Sequence, residues 1–139
     1  MKITGNFIIS ILVGTVAGFL LGWVVYGILL DPFYASHCPH HHIIIRDMES
    51  TRLWGILVAQ VCFAAMMTYV YSVANIRSVG KGFTFGAIMG GLSTAGTDFM
   101  LFSSTNMYTK EVYMVDIPVG AVFIGIIGAI IAFVLSKGK

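Results

Sequence analysis

Charge is what this sequence has least of. Its 139 residues include 8 Lys and Arg and 6 Asp and Glu, 10% of the chain, where a typical soluble domain carries about 25%. Because the chain is 58% hydrophobic, too few polar residues remain to cover a water-facing surface, and a soluble bundle of four buried helices is disfavoured. Nothing basic clusters as nucleic-acid binding requires, so no nucleic-acid partner is expected. With 2 cysteines, there is no disulfide framework. Cys38 falls in a loop and Cys62 near the middle of an apolar run, about 15 Å of helix rise beyond Arg52, too far for a bond between them. No phosphate-binding Gly-Lys-Ser/Thr loop, His-Glu-x-x-His helix or Gly-x-Ser-x-Gly elbow occurs. Ser93 has no histidine at its depth to act as a base, and no histidine pair inside an apolar run could ligate haem. The protein is expected not to be an enzyme.

What is present is length without charge. Ile3 to Leu30 is 28 uncharged residues, Leu53 to Ile76 is 24, and Ile117 to Ser136 is 20; Gly82 to Thr109 is 28, interrupted once by Asp98. A helix that spans a bilayer needs about 20 mostly apolar residues. The expectation is an all-α integral membrane four-helix bundle in one domain, 1–139, with spans near 4–30, 53–76, 82–108 and 116–137. Continuous runs of this length do not fit the short alternating strands of a membrane barrel. The first run is too long for a signal-peptide core, so it is expected to stay in the mature protein. With the N-terminus inside, Lys2, Arg77, Lys81, Lys137 and Lys139 lie on the inner side and Arg46, Arg52 and Lys110 outside. That bias predicts both termini in the cytoplasm. Short connections make neighbouring helices antiparallel, apart from an outer loop over 31–52. Asp116-Ile-Pro-Val reads as a helix start, with Asp116 as its cap.

Small residues recur every four positions. Gly14, Gly18 and Gly22 do so in the first run, Gly82, Gly86 and Gly90 in the third (continued by Thr94), and Ala121, Gly125 and Ala129 in the fourth. Positions four apart share a helix face, and small side chains let helices approach closely in lipid. Packing within one bundle is the expected use, and homo-oligomerisation the alternative. Trp23, Tyr26, Trp54, Tyr108 and Tyr113 fall toward the outer ends and Tyr69 and Tyr71 toward the inner ends, as an interfacial belt would.

Asp98 is the residue that asks for an explanation. A charge at mid-membrane costs at least about 2.5–3.5 kcal/mol, and such residues usually face a bundle interior or a wet cavity. At helical spacing, Ser93, Thr94 and Thr97 lie with Asp98 on one stripe. Gln60, in the middle of the second run, and the Tyr26 hydroxyl are its candidate partners. Asp98 either is a buried, hydrogen-bonded structural residue or binds a cation, proton or ligand. The second cluster is His37-Cys38-Pro39-His40-His41-His42, which holds all 4 histidines. Imidazole and thiolate ligate zinc or copper, so His37, Cys38, His40, His41 and His42 are candidate metal ligands. Adjacent histidines cannot all aim at one ion, and titration near pH 6.5 offers a pH-sensing role instead.

Gly18-Phe-Leu-Leu-Gly-Trp-Val-Val-Tyr-Gly27, Thr97-Asp98-Phe99 and Asp116-Ile-Pro-Val-Gly120 resemble motifs of the small bacterial four-helix membrane proteins classed as domains of unknown function. The resemblance implies a bacterial inner-membrane protein and puts weight on Trp23, Tyr26, Asp98, Asp116 and Gly120. It implies no activity, and the His-rich loop is not part of it. The leading expectation is a non-enzymatic, oligomeric bundle that binds or conducts a small ligand, cation or proton at Asp98. An accessory subunit of a larger membrane complex and an outer-face metal-binding protein are the alternatives.

Overall fold

The computed structural model describes residues 5–38, 46 and 50–138. These are helical, with no strand among them. Helix α1 runs Gly5–Val24 and continues into a π-helical turn, Val25–Leu29. The short α2 is Asp31–Ser36, α3 is Leu53–Val73, α4 is Val79–Ser104 and α5 is Lys110–Ser136.

Three of the four long helices, Gly5–Leu29 with its π turn, Leu53–Val73 and Lys110–Ser136, are long and apolar enough to cross a membrane. Large apolar side chains on them face outward: Leu12 is 60% exposed, Leu57 48% and Val122 53%. Leaving such a group in water forgoes roughly 1.5–3 kcal/mol, so the natural surroundings of these faces are lipid, and the chain is a membrane protein. Helix α4 has the length but less apolarity, because Gly, Ser, Thr and Asp98 take positions that Leu or Val hold in the other three.

Local chemistry explains the boundaries. Helix α3 stops where Asn75 takes a positive φ of 52°, and Ile76 N–H donates back to Tyr71 O at 2.9 Å. This is a left-handed cap in which Asn is tolerated. Ser78 then caps α4, its hydroxyl accepting from Lys81 N–H at 3.2 Å, so α4 begins three residues before the expected start. Helix α5 begins at Lys110, well before the Asp116-Pro118 signal, and Pro118 lies inside it. Glu111 in the first turn suits the positive end of the helix, and membrane helices tolerate an internal proline. Asp116 is therefore not a cap. Part of the expected 31–52 loop is the helix α2, which Pro32 starts in the usual first-turn position.

One end of the bundle is tied together. Asn6 donates to Val134 O at 3.4 Å, and Arg77 donates to Leu135 O at 2.8 Å and Gly138 O at 3.1 Å. The start of α1, the α3–α4 turn and the end of α5 thus meet there. The core lies beside them: Tyr71, Ile127, Ile131, Ala132 and Leu135 are buried together. Helix α4 runs closely along α5. Helix α1 packs on α3 and α5, and α3 and α4 diverge from their shared turn. The α4–α5 seam is backbone against backbone. A Cβ on Gly86 would stand 2.7 Å from Ile124 O, and one on Gly82 2.7 Å from Gly128 O. On α1, Gly14 meets Ala64 and Ile131, and Gly18 meets Gln60. The small-residue stripes of α1 and α4 are used within the chain. On α5 the close contacts fall on Gly120 and Gly128 as well as the expected Gly125.

Candidate functional site

Asp98 projects from the C-terminal half of α4 and is 6% exposed. It lines a cavity of about 290 Å³ together with Thr97, Leu101, Tyr26, Tyr34, Tyr108, Val112, Tyr113 and Asp116. Four parts of the chain build it: the π turn, α2, the α4–α5 turn with the start of α5, and α4 itself. Among the described residues, the lining holds two carboxyls and no Lys, Arg or His. Asp98 Oδ2 and the Tyr113 hydroxyl, both buried, have no hydrogen-bond partner among the described residues. Leaving such an atom unsatisfied costs about 1–3 kcal/mol, more if it is charged.

Asp116 is better served. The Tyr34 hydroxyl donates to its Oδ1 at 2.5 Å. Burial, and next the Asp116 carboxylate, push the Tyr34 hydroxyl well above the ordinary tyrosine range, so it stays protonated and can donate. At the other end of α2, Thr109 N–H donates to His37 O at 3.1 Å. Helix α2 is thus a strap across the cavity, pinned to α5 and to the α4–α5 turn.

Aromatic rings form a run around this space. Phe123 meets Tyr26 edge-on at 5.7 Å, Tyr26 stacks on Tyr34 at 6.2 Å, Tyr34 meets Tyr108 at 5.9 Å, and Tyr108 meets Tyr113 at 6.2 Å. The π turn explains how Tyr26 joins the run. Residues three apart on a regular helix share a face, yet Trp23 points outward, 55% exposed, while Tyr26 lines the cavity. An i→i+5 bond, Leu30 N–H to Val25 O at 2.9 Å, marks the change of helical phase between them.

Of the residues expected at the site, Asp98, Thr97 and Tyr26 come together, and three others do not. Thr94 is taken up by the seam, packed against Gly120. Ser93 and Gln60 line a second, mostly apolar cavity of about 200 Å³ between α3 and α4, with Phe63, Met67, Phe85 and Met89 among its other walls. Gln60 rests on Gly18, so it is not the partner of Asp98. The stripe splits because α4 turns against α5: the residues below Asp98 meet Gly120 or the α3 side, and only the turn at Thr97 and Asp98 opens under the strap. Helix α4 is also not the most enclosed helix. It buries Gly82, Gly86, Gly90 and Asp98, whereas α5 buries nine residues.

Tyr34, Tyr108, Tyr113 and Asp116 were not expected at a site. Tyr108 and Tyr113 read as belt residues and Asp116 as a cap. Tyr34 lay in the expected loop over 31–52. The belt reading fits Trp23, Trp54 and Tyr69, all at least 54% exposed, but not Tyr71, which is buried and donates to Gly82 O at 2.6 Å.

The expected metal ligands divide. His40, His41 and His42 lie outside the described residues. His37 Nδ1 is 2.9 Å from both Phe33 O and Ser36 Oγ, and its ring lies 4.4 Å from that of Phe33. Cys38 is buried, and both cysteines are free thiols. Among the described residues no three His, Cys, Asp or Glu side chains cluster as a metal site requires. Comparison with protein families, curated proteins and solved structures finds no match to this chain.

Proposed function

We propose that the protein is a multi-pass inner-membrane bundle of four spans, with both termini cytoplasmic, that binds a cation or proton at Asp98 in its outer half. The observation that carries the reading is the unpartnered Asp98 carboxyl. It is buried in a cavity that holds a second carboxyl and, among the described residues, no basic side chain. Inside a membrane such an acid is costly to keep without a task, and the missing partner is a positive one. Helix α4 is the least apolar of the four spans in this reading, in keeping with a helix that faces a polar cavity. The resemblance to small bacterial four-helix membrane proteins agrees with the proposed location. Self-association, or membership of a larger membrane complex, goes with the same reading, and native mass spectrometry from lipid nanodiscs distinguishes the two.

The test is Asp98→Asn, which keeps the shape and removes the charge. In nanodiscs the variant should retain the wild-type melting temperature. Calorimetric titration with sodium or potassium chloride, or proton uptake measured with a pH electrode, should show a loss of at least tenfold. A variant that folds and binds as the wild type does refutes the assignment.

A further inference from the structure

We infer that the Asp98 cavity takes a small organic ammonium ion, held by the two carboxyls and the tyrosine rings. The inference rests on the cation-binding reading above and names the class of cation.

The alternatives fit the walls less well. Calcium takes six to eight oxygen ligands, and magnesium a near-octahedral shell. The described residues bring together no cluster of three metal-binding side chains. A proton needs no space, yet the cavity measures about 290 Å³, at the lower end of what small-molecule sites occupy. Apart from Thr97, its other walls are Leu101, Val112 and tyrosine rings, which suit alkyl groups rather than a hydrated ion. Tyrosine faces attract ammonium groups, and aromatic cages with an acid nearby are a general solution for alkylated amines. Tyr26 and Tyr34 lie within 15° of parallel, while Tyr108 and Tyr113 stand at 81° to each other. The rings therefore do not share one plane, and an ion between them meets more than edges. Asp98 and Tyr113 are each more than nine-tenths buried, belong to the cavity wall, and each hold an oxygen with no hydrogen-bond partner among the described residues. A turn of either side chain toward the cavity brings that oxygen to an N–H donor, or to the positive rim of a fully alkylated ammonium.

Protein in neutral-lipid nanodiscs should be titrated calorimetrically with choline and with tetramethylammonium, at constant potassium chloride. The neutral carbon isostere of choline, 3,3-dimethylbutan-1-ol, serves as the control ligand. The expected result is saturable 1:1 binding of the two ammonium ions and at least tenfold weaker binding of the alcohol. Asp98→Asn should weaken choline binding at least tenfold. Tyr108→Leu, which keeps bulk and removes a ring, should weaken it about 2–30-fold, while Trp23→Leu, outside the cavity, should leave it unchanged. The tyrosine and tryptophan variants decide the matter even if Asp98→Asn does not fold. Binding of sodium, potassium or protons without either ammonium ion overturns this inference and leaves the cation cavity standing. Failure of every cation to bind overturns both, whereas equal affinity for choline and the neutral alcohol overturns this inference alone.

Discussion

Two alanine substitutions on one helix should have opposite effects. Gly90 and Gly96 are both interior residues of α4. A Cβ on Gly90 would stand 2.6 Å from Ile124 Cβ and 2.8 Å from Gly120 O, whereas one on Gly96 meets nothing within 4 Å. To reach an ordinary 3.4 Å contact, the two Gly90 approaches must lengthen by 0.8 and 0.6 Å. Neither obstacle is the free end of a flexible side chain, so the helices themselves must part. Exchanging Gly for Ala inside a helix stabilises by roughly 0.5–1 kcal/mol, and that gain is common to both variants. It cancels in the comparison and leaves the overpacking cost, about 1–3 kcal/mol. Gly96→Ala should therefore equal or exceed the wild type, with Gly90→Ala falling below Gly96→Ala by that amount. Reversible unfolding in mixed micelles, followed by circular dichroism under identical conditions for all three proteins, reads the difference. Equal stability of the two variants would refute the backbone seam between α4 and α5.

Other expectations follow from the same geometry. In Asp98→Asn the unfolding midpoint should change little, because no described side chain loses a bond to the carboxylate; a fall of several kcal/mol would mark Asp98 as a structural residue. Tyr34→Phe removes a hydrogen bond to a carboxylate, a loss of about 1.5–3 kcal/mol when buried, reduced here because α2 is partly exposed; hydrogen exchange should rise at Asp31–Ser36 and not in α5. Tyr34 is held above the ordinary range near 10, so its contribution is complete below that pH and is lost only as pH climbs toward the higher folded value. Ultraviolet titration should accordingly count the same number of tyrosinates forming near pH 10 in wild type and Tyr34→Phe. Leu92 lies on the outward face of α4, 68% exposed. Leu92→Asp should impair membrane insertion by about 2.5–3.5 kcal/mol if α4 is a span, whereas normal insertion in a glycosylation-mapping assay argues against the fourth span.

The helices were legible because length without charge leaves few alternatives. The four uncharged runs match α1, α3, α4 and α5 to within a few residues at most ends. The exception is α5, where Pro118 suggested a start and instead lies in the interior. Proline marks a first turn only when nothing upstream can be helical, and Lys110 to Val115 can. Asp98 was legible because it is the one charge in its run. Its surroundings were not, since spacing along one helix places Thr94 and Thr97 on the same stripe and cannot say that Gly120 occupies one and an open cavity the other. Tyr34 and Asp116 are 82 residues apart, and no local pattern announces a bond over that separation. Gln60 was misjudged for a related reason: its place in the middle of its run does not give the direction it faces, which depends on how α3 leans away from α4.

The glycine seam also acts as a gauge of rotation. Gly82, Gly86 and Gly90 can meet α5 this closely in only one angular setting, and that setting fixes which way every later residue of α4 points. Each residue advances a helix by about 100° and 1.5 Å. Losing one residue between Gly90 and Asp98 would leave the contacts of these three glycines in place and swing the carboxyl about 100° around, out from under the strap. Losing a residue after Asp98 would spare its bearing. The short stretch from Gly91 to Thr97 therefore has to keep its length, apart from any demand that Thr94 makes on its own packing against Gly120.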